Sequence, residues 1–428
     1  MSWRERLGRN WGRLGMRFNI WKDCPKVPIT ELLSFIVDNR GKTVPTADDG
    51  WKLIATNCVT NNTLFPVYEK VRYLTQETYE TWFRAHPMPG DILFVNKGTP
   101  GRVCLVPDPV DFCIAQDMIA LRADDEKIYN KYLFAVLRSR EIQQQIYNTN
   151  VGDVIPHFKK QFMDQLLIPI PDRRIQEIIG NLYYELSYKT ELNKKINKNL
   201  EQQAQTIFKS WFVDFEPFGG VQPSEMQFIP LQELCKVVTK GTTPTTLGKS
   251  FTNSGINFIK AESIHDNHSI DSSKFAFIDE ETNALLKRSI IKANDIVFTI
   301  AGTLGRFAMI DNSMLPANTN QAVAIIRPDE TKVTPAYLYS FFIGNWHNEY
   351  YSKRIQQAVQ ANLSLTTIKS LPIAVLNDTT MSNYDKLVSP LFALMKNNEE
   401  ENRRLSKLRD TLLPKLMSGE LDVSDIDF

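Results

Sequence analysis

The chain has 428 residues, of which 43% are apolar and 23% charged, with a formal net charge of +1. At roughly 150 residues per domain this is too long for one core and predicts two or three domains. The near-neutral total excludes a uniformly basic coat but not local basic faces, and no apolar run approaches the roughly 20 residues a membrane span needs, so a soluble protein is expected.

The chain opens with a basic, aromatic stretch, MSWRERLGRNWGRLGMRFNIWK. It lacks the apolar core of a secretory signal. Residues 1–25 are read as a basic extension, either a short arm or a segment upstream of a start at Met16. The five cysteines, Cys24, Cys58, Cys104, Cys113 and Cys235, are odd in number and form no CxxC pair, which favours a reduced, cytoplasmic setting.

Residues 26–171 are rich in short β-like runs such as DILFV and RVCLV, broken by Gly, Pro, Asn and Asp, with a helical stretch at Lys131 to Tyr147. Within them lies DILFVNKGTPGR, Asp91 to Arg102. Residues 172–214 form a long polar helix. Its positions Ile175, Ile179, Leu182, Leu186, Lys189, Asn193, Ile196, Leu200, Gln203 and Ile207 follow alternating steps of four and three, the seam of a coiled coil with polar interruptions.

Residues 215–377 repeat the pattern. DIVFTIAGTLGR at Asp295 to Arg306 matches the earlier stretch at seven of twelve positions, and AQDMIAL, YLFAVL and LIPIP find counterparts in NQAVAII, YLYSFF and SLPIA. A second helical stretch is expected from Pro335 to Gln360. Residues 378–418 carry another seam, Tyr384, Leu387, Leu391, Leu394, Asn398, Glu401, Leu405, Leu408 and Leu412, before a tail at 419–428. A period of about 205 residues is far above the 20 to 50 of solenoid repeats, and reads as a duplicated domain plus helix. The predicted class is therefore α+β: two globular domains and two long helices related by a pseudo-two-fold, which makes the helices antiparallel. Asn193 and Asn398 fall at equivalent seam positions; they are expected either to face each other and fix the register, as buried seam asparagines do, or to lie at a solvent-facing edge.

No catalytic motif is present. GTTPTTLGKS from Gly241 imitates a phosphate loop, but six residues separate its glycines where the motif has four. His265 and His268 in HDNH lack companions at zinc spacing, so a surface loop is the reading there. There is no GxSxG, HExxH or dinucleotide fingerprint. The repeated G-x-x-G-R at Gly98 and Gly302 is a glycine-held hairpin turn able to present Thr99, Arg102, Thr303 and Arg306 to a ligand. Duplicated recognition without catalysis is the class that remains.

Several segments resemble the specificity subunit of type I restriction-modification systems: LEQQAQTIFKSWFVDFEP at Leu200 to Pro217, LSKLRDTLLPKLMSGEL at Leu405 to Leu421, and TKGTTPTT, GINFIKAESI, GTLGR and ANLSLTTIKSLPI in the second half. The resemblance runs from about Lys26 onward. It implies two target-recognition domains, 26–171 and 215–377, each reading half of a bipartite, asymmetric sequence in double-stranded DNA. The conserved helices at 172–214 and 378–418 would set the gap between the halves. It also implies methyltransferase subunits docked on this frame and restriction/translocase subunits added for cleavage. Adenine methylation with S-adenosylmethionine, and translocation with ATP and Mg, then belong to partner chains, with no cofactor in this one, in a prokaryotic cytoplasm. The first half departs more from the family pattern, with altered spacing around Gly41, Lys42, Thr43 and Pro45 and with VGDVIPHF where the second half has QANLSL.

Base edges are distinguished by paired donors and acceptors, and phosphates are held by Lys, Arg, Ser, Thr and backbone amides. On that chemistry the candidate DNA-binding residues are Lys42, Thr43, Lys97, Thr99, Arg102 and Gln116 in the first domain, and Lys240, Thr242, Thr243, Thr245, Lys260, Arg306 and Gln321 in the second. Arg102 and Arg306, shared by both halves, suit a phosphate or structural role, because a shared residue cannot alone explain two different half-sites. The competing reading is a duplicated scaffold that joins two protein partners without touching DNA.

Overall fold

Short apolar runs can end up buried on both faces only if something covers each face, and the repeated runs of this chain do so twice. The computed structural model describes residues 19–39, 42–149, 156–347, 350–351 and 362–421. Most of the N-terminal extension, the last residues of the tail, Gly41, and parts of VGDVIPHF and QANLSL lie outside the described residues, as does the end of the stretch expected to be helical up to Gln360.

The chain divides into two units, cut between residues 193 and 194 and between 400 and 401. The first contains β1 (Lys26–Pro28), β2 (Leu33–Val37), β3 (Trp51–Ile54), β4 (Arg72–Leu74), β5 (Ile92–Val95), β6 (Val103–Leu105), β7 (Phe112–Ile114), β8 (Met118–Ala123) and β9 (Leu167–Pro169). They form an antiparallel sheet ordered β2-β8-β5-β6, a second sheet β4-β3-β7 in which β3 and β7 are parallel, and the pair β1-β9. The second unit contains β10 (Gln227–Pro230), β11 (Cys235–Lys240), β12 (Ile256–Ile259), β13 (Ala276–Ile278), β14 (Ile296–Thr299), β15 (Phe307–Met309), β16 (Ala317–Thr319), β17 (Val323–Pro328) and β18 (Pro372–Val375). Its sheets, β11-β17-β14-β15, β13-β12-β16 and β10-β18, repeat the first unit strand for strand.

Burial explains the apolar runs. In β5, Ile92 and Phe94 face a core with Tyr132 to Leu137 and with Ile178, Ile179 and Tyr183, whereas Leu93 and Val95 face Ile54, Phe112 and Ile114 of the three-stranded sheet. In β14, Ile296 and Phe298 face the aromatic helical core and Val297 faces Ile259 and Ala317. A sheet covered on both faces needs apolar residues at consecutive positions, so neither strand alternates.

Among the described residues the helices include α1 (Ile20–Asp23), α2 (Gln76–Thr81), α3 (Asn130–Leu137), α4 (Arg140–Asn148), α5 (Arg173–Phe212), α6 (Glu280–Leu285), α7 (Pro335–Ile343), α8 (Leu365–Lys369) and α9 (Asp378–Met417). The expected helix from Lys131 to Tyr147 is two helices. Ser139 interrupts it as the N-cap of α4, its Oγ accepting the Ile142 N–H at 3.4 Å. The expected helix from Pro335 begins as α7, which ends at Ile343 with Gly344 as its cap, and helical backbone resumes at Trp346, His347, Tyr350 and Tyr351.

Within each unit the stretches of α5 and α9 run antiparallel. In the first, Lys189 Nζ lies 3.4 Å from Glu401 Oε2, and Leu182 joins Leu412, Leu413 and Leu416 in one core. The predicted seam is corrected in part: Lys189, Ile196, Gln203, Leu387, Leu394 and Leu408 are exposed, and Tyr183, Ser187, Thr190, Ala204 and Phe208 are buried instead. Each helix packs on its globular domain as well as on the other helix, so its buried face is wider than one heptad stripe and rotated from it. Asn193 and Asn398 are both buried. Asn193 Nδ2 donates to Glu401 Oε2 at 2.7 Å and to Asn402 Oδ1 at 3.0 Å; Asn398 Nδ2 donates to Asn197 Oδ1 at 2.7 Å. Asn193 with Asn402 and Asn398 with Asn197 are the same pair repeated at an offset of 205 residues.

Candidate nucleic-acid interface

Sheet register decides which loops share an end of each unit. In the first, Val37 of β2 pairs with Ala120 and Val95 of β5 with Met118, so both strands finish where β8 starts, and β3 and β7 finish together at Ile54 and Ile114. The chain leaving these strands supplies one set of loops. Lys42 and Thr43 follow β2, Lys97, Thr99 and Arg102 form the turn after β5, and Gln116 sits between β7 and β8; all are exposed except the half-buried Thr99. Asn96 N–H donates to the Asp117 carbonyl at 2.9 Å, and Phe158 N–H to the Asn96 carbonyl at 2.8 Å, which binds turn, loop and an incoming segment into one surface.

The second unit repeats this end. Thr242, Thr243 and Thr245 follow β11, Lys260 follows β12, Arg306 closes the turn after β14, and Gln321 lies between β16 and β17. Thr243 Oγ1 donates to Gln321 Oε1, bringing two of the candidates into contact. Lys260 Nζ lies 3.3 Å from Glu262 and 5.4 Å from the Phe251 ring centroid. Arg306 is held by Asp266. Thr245 is exposed in a single 3-10 turn, Pro244–Leu247, so the stretch that imitates a phosphate loop opens no helix of the required kind. Lys240 ends β11 and is exposed; Arg288, which sequence reasoning missed, donates to its carbonyl at 3.4 Å.

The repeated motif has a structural cause. Gly98, Gly101, Gly302 and Gly305 all have φ between 78° and 87°, a region side chains avoid, and Gly101 N–H to Val95 O has its twin in Gly305 N–H to Thr299 O, both 3.0 Å. Asp91 and Asp295 are buried and take bidentate bonds from Arg122 and Arg327. Glycines and aspartates therefore hold the scaffold of both turns, and any difference in recognition must come from their neighbours.

HDNH is a hairpin in which His265 N–H donates to the Ser269 carbonyl at 3.0 Å. Among the described residues no three His, Cys, Asp or Glu side chains come together to hold a metal ion. His268 instead stacks on Phe307 at 4.0 Å and points Nε2 to within 3.7 Å of Glu201 of α5. Burial pushes the Glu201 carboxyl up to about 7, with Glu399 of α9 adding to the rise and Lys198 opposing it; burial also pushes His268 down, so the imidazole is neutral and does not offset the carboxylate. The folded value lies above the usual 4.5. The stabilisation from the protonated carboxyl is therefore complete below that pH and lost as pH rises through about 7. Glu201→Gln is expected to stabilise the second unit by about 3 kcal/mol at about pH 8 and by nothing at acid pH. Urea unfolding across the range checks this, and a gain independent of pH would sink it.

No helix among the described residues is long and apolar enough to cross a membrane. The type I restriction modification DNA specificity domain matches the chain twice, over residues 28–202 and 223–378. The chain is 24% identical over 356 residues to the type I restriction enzyme MjaIX specificity subunit of Methanocaldococcus jannaschii, covering 79% of each protein. It is also 24% identical over 410 residues to the HindI specificity subunit of Haemophilus influenzae, covering 78% of this chain and 86% of that one. The crystal structure of a type I restriction-modification S subunit from M. genitalium shares the fold with a TM-score of 0.56 and 17% identity, over 91% of this chain and 95% of that one.

Proposed function

Because the chain belongs to the type I restriction-modification DNA specificity family, we propose that its two units each read one part of a bipartite, asymmetric DNA target. It is a DNA sequence-specificity subunit, the non-catalytic member of a type I restriction enzyme. The observation that carries the bipartite reading is the duplication. Each unit repeats the same three sheets and the same exposed loop end, while the loop residues differ: Lys42 and Thr43 follow β2 and Thr242, Thr243 and Thr245 follow β11. Lys42, Lys97, Thr99, Arg102 and Gln116 on one side, and Lys240, Thr243, Lys260, Arg306 and Gln321 on the other, combine phosphate-holding and base-reading chemistry.

The helices supply the spacing. α5 has 40 residues, about 60 Å at 1.5 Å per residue, against roughly 34 Å for a turn of DNA. Asn193 and Asn398, buried and bonded across the helix pair, set its register. Methyltransferase subunits dock on this frame, where Leu192, Ile196, Leu387, Leu394 and Leu408 are exposed. Restriction/translocase subunits join them, and S-adenosylmethionine, ATP and Mg are bound by those partners in the cytoplasm of a prokaryote.

Inserting four residues beside Asn193 is expected to change the gap between half-sites and leave both half-sites intact; unchanged spacing would refute the ruler. The direct test is methylome sequencing of cells expressing the chain with its methyltransferase subunit, against cells lacking it. A bipartite methyladenine motif that depends on the chain is the expected result. No motif from an active, assembled complex would return weight to the scaffold reading.

A further inference from the structure

The arginine that both turns share is held differently in the two units. In the second, Arg306 Nε and Nη2 donate to the two carboxylate oxygens of Asp266 at 2.7 and 2.8 Å, and Nη1 donates to the Ile264 carbonyl at 3.2 Å. In the first, the position equivalent to Asp266 is Asn61, whose Oδ1 accepts the Val103 N–H at 2.9 Å instead, and Arg102 is exposed.

Asp266 is placed from two sides. Ile264 and Ile270 pair across its hairpin, and His268 packs on Phe307, the residue that follows Arg306 in the chain. The hairpin is therefore anchored on the strand whose arginine it grips.

The clamp changes what the arginine can do. A carboxylate in bidentate contact offsets the charge that makes arginine a phosphate holder. It leaves a planar guanidinium in one orientation, with three of its five N–H groups engaged and the others free to donate. Guanine offers O6 and N7 side by side in the major groove, the acceptor pair that a fixed guanidinium matches best.

We propose that Asp266 is a positioning residue that makes Arg306 the reader of a guanine in the half-site recognised by the second unit. The unclamped Arg102 holds a phosphate in the first. A shared arginine then serves two different half-sites, because the carboxylate that aims it is present in only one. This rests on the DNA-reading function above.

The test uses the chain assembled with its methyltransferase subunits. Binding is measured at two salt concentrations to the target duplex and to duplexes substituted one base pair at a time across the second half-site. Arg306→Lys is expected to lose about ten- to hundredfold of discrimination at a single G·C pair. Asp266→Asn should relax the same position and steepen the salt dependence, since the released cation can take a phosphate. Thermal unfolding of each variant identifies loss of fold, and Asp266→Glu, which keeps the charge on a longer arm, replaces any Asn variant that does not fold and should relax the same position. Equal weakening on every duplex by Arg306→Lys would assign the residue to phosphate and overturn the proposal. So would unchanged discrimination with lowered thermal stability, or a second half-site without a G·C pair. A wild-type complex with no sequence preference would instead remove the function on which the proposal rests.

Discussion

Asp295→Ala is expected to destabilise the second unit by about 3 kcal/mol, because it strands an Arg327 side chain that is only 20% exposed and leaves the Lys292 amide without its acceptor. Asp295 is fully buried at the start of β14. Its oxygens receive Arg327 Nε and Nη2, both at 2.7 Å, and Oδ2 also accepts the Lys292 N–H at 2.7 Å. With the carboxylate gone, Arg327 keeps only the Ile290 carbonyl at 3.0 Å and the Lys292 amide loses its acceptor. Replacing both partners, as Asp295→Leu with Arg327→Met, should recover most of the loss, since no charge is then left unpaired. Urea unfolding of the two single variants and the double variant measures the coupling. A single-variant loss under about 1 kcal/mol would show the pair to be dispensable. The same experiment on Asp91 and Arg122 asks whether the first unit depends equally on its copy.

Gly241→Ala should displace the loop that carries Thr242, Thr243 and Thr245, which are among the second unit's candidate DNA-contacting residues. An added Cβ would stand 1.9 Å from the Thr319 carbonyl oxygen and 2.7 Å from that of Asn320, and neither is the end of a flexible side chain. Relief requires the end of β11 to move away from the β16–β17 connection. That breaks the 3.1 Å bond from Gly241 N–H to the Asn320 carbonyl and carries Thr243 away from Gln321. The expected cost is about 1–3 kcal/mol of stability, together with loss of methylation at targets that depend on the second half-site. Gly248→Ala is the control. Gly248 has φ of 70° but nothing within 4 Å of an added Cβ, so only backbone strain of about 1 kcal/mol is expected. Equal functional loss from both variants would mean that close approach at Gly241 is not what matters.

Much of the architecture was legible because it is written in short, local patterns. The repeat at Asp91 and Asp295, the glycine turns and the long polar helices all announce themselves within a dozen or so residues, and the family resemblance sits on the same segments. Where the reading went astray, a second packing partner had intervened. The seam through Lys189 and Ile196 assumed that α5 packs on a helix alone, whereas Tyr183 and Phe208 turn toward the globular cores. The pattern leaves Asn193 and Asn398 either buried in the seam or at a solvent-facing edge; both are buried, and each bonds an asparagine of the other helix within its own unit, Asn402 and Asn197. Ser139 broke a helix that apolar content alone would have continued.

The linear order of residues was enough to establish the duplication, the α+β class, the two 40-residue helices and the DNA-specificity family, because periodicity, turn chemistry and motif identity are all properties of neighbours along the chain. What only the tertiary structure decided are the relations between distant residues: β8 and β17 as the strands where the candidate loops gather, Arg122 on Asp91, and Asp266 on Arg306, 40 positions apart in the chain. A bidentate ion pair depends on two side chains meeting at hydrogen-bond distance and in one plane, and no pattern in either segment encodes that meeting. It arises when strand register brings their loops to the same end of the sheet.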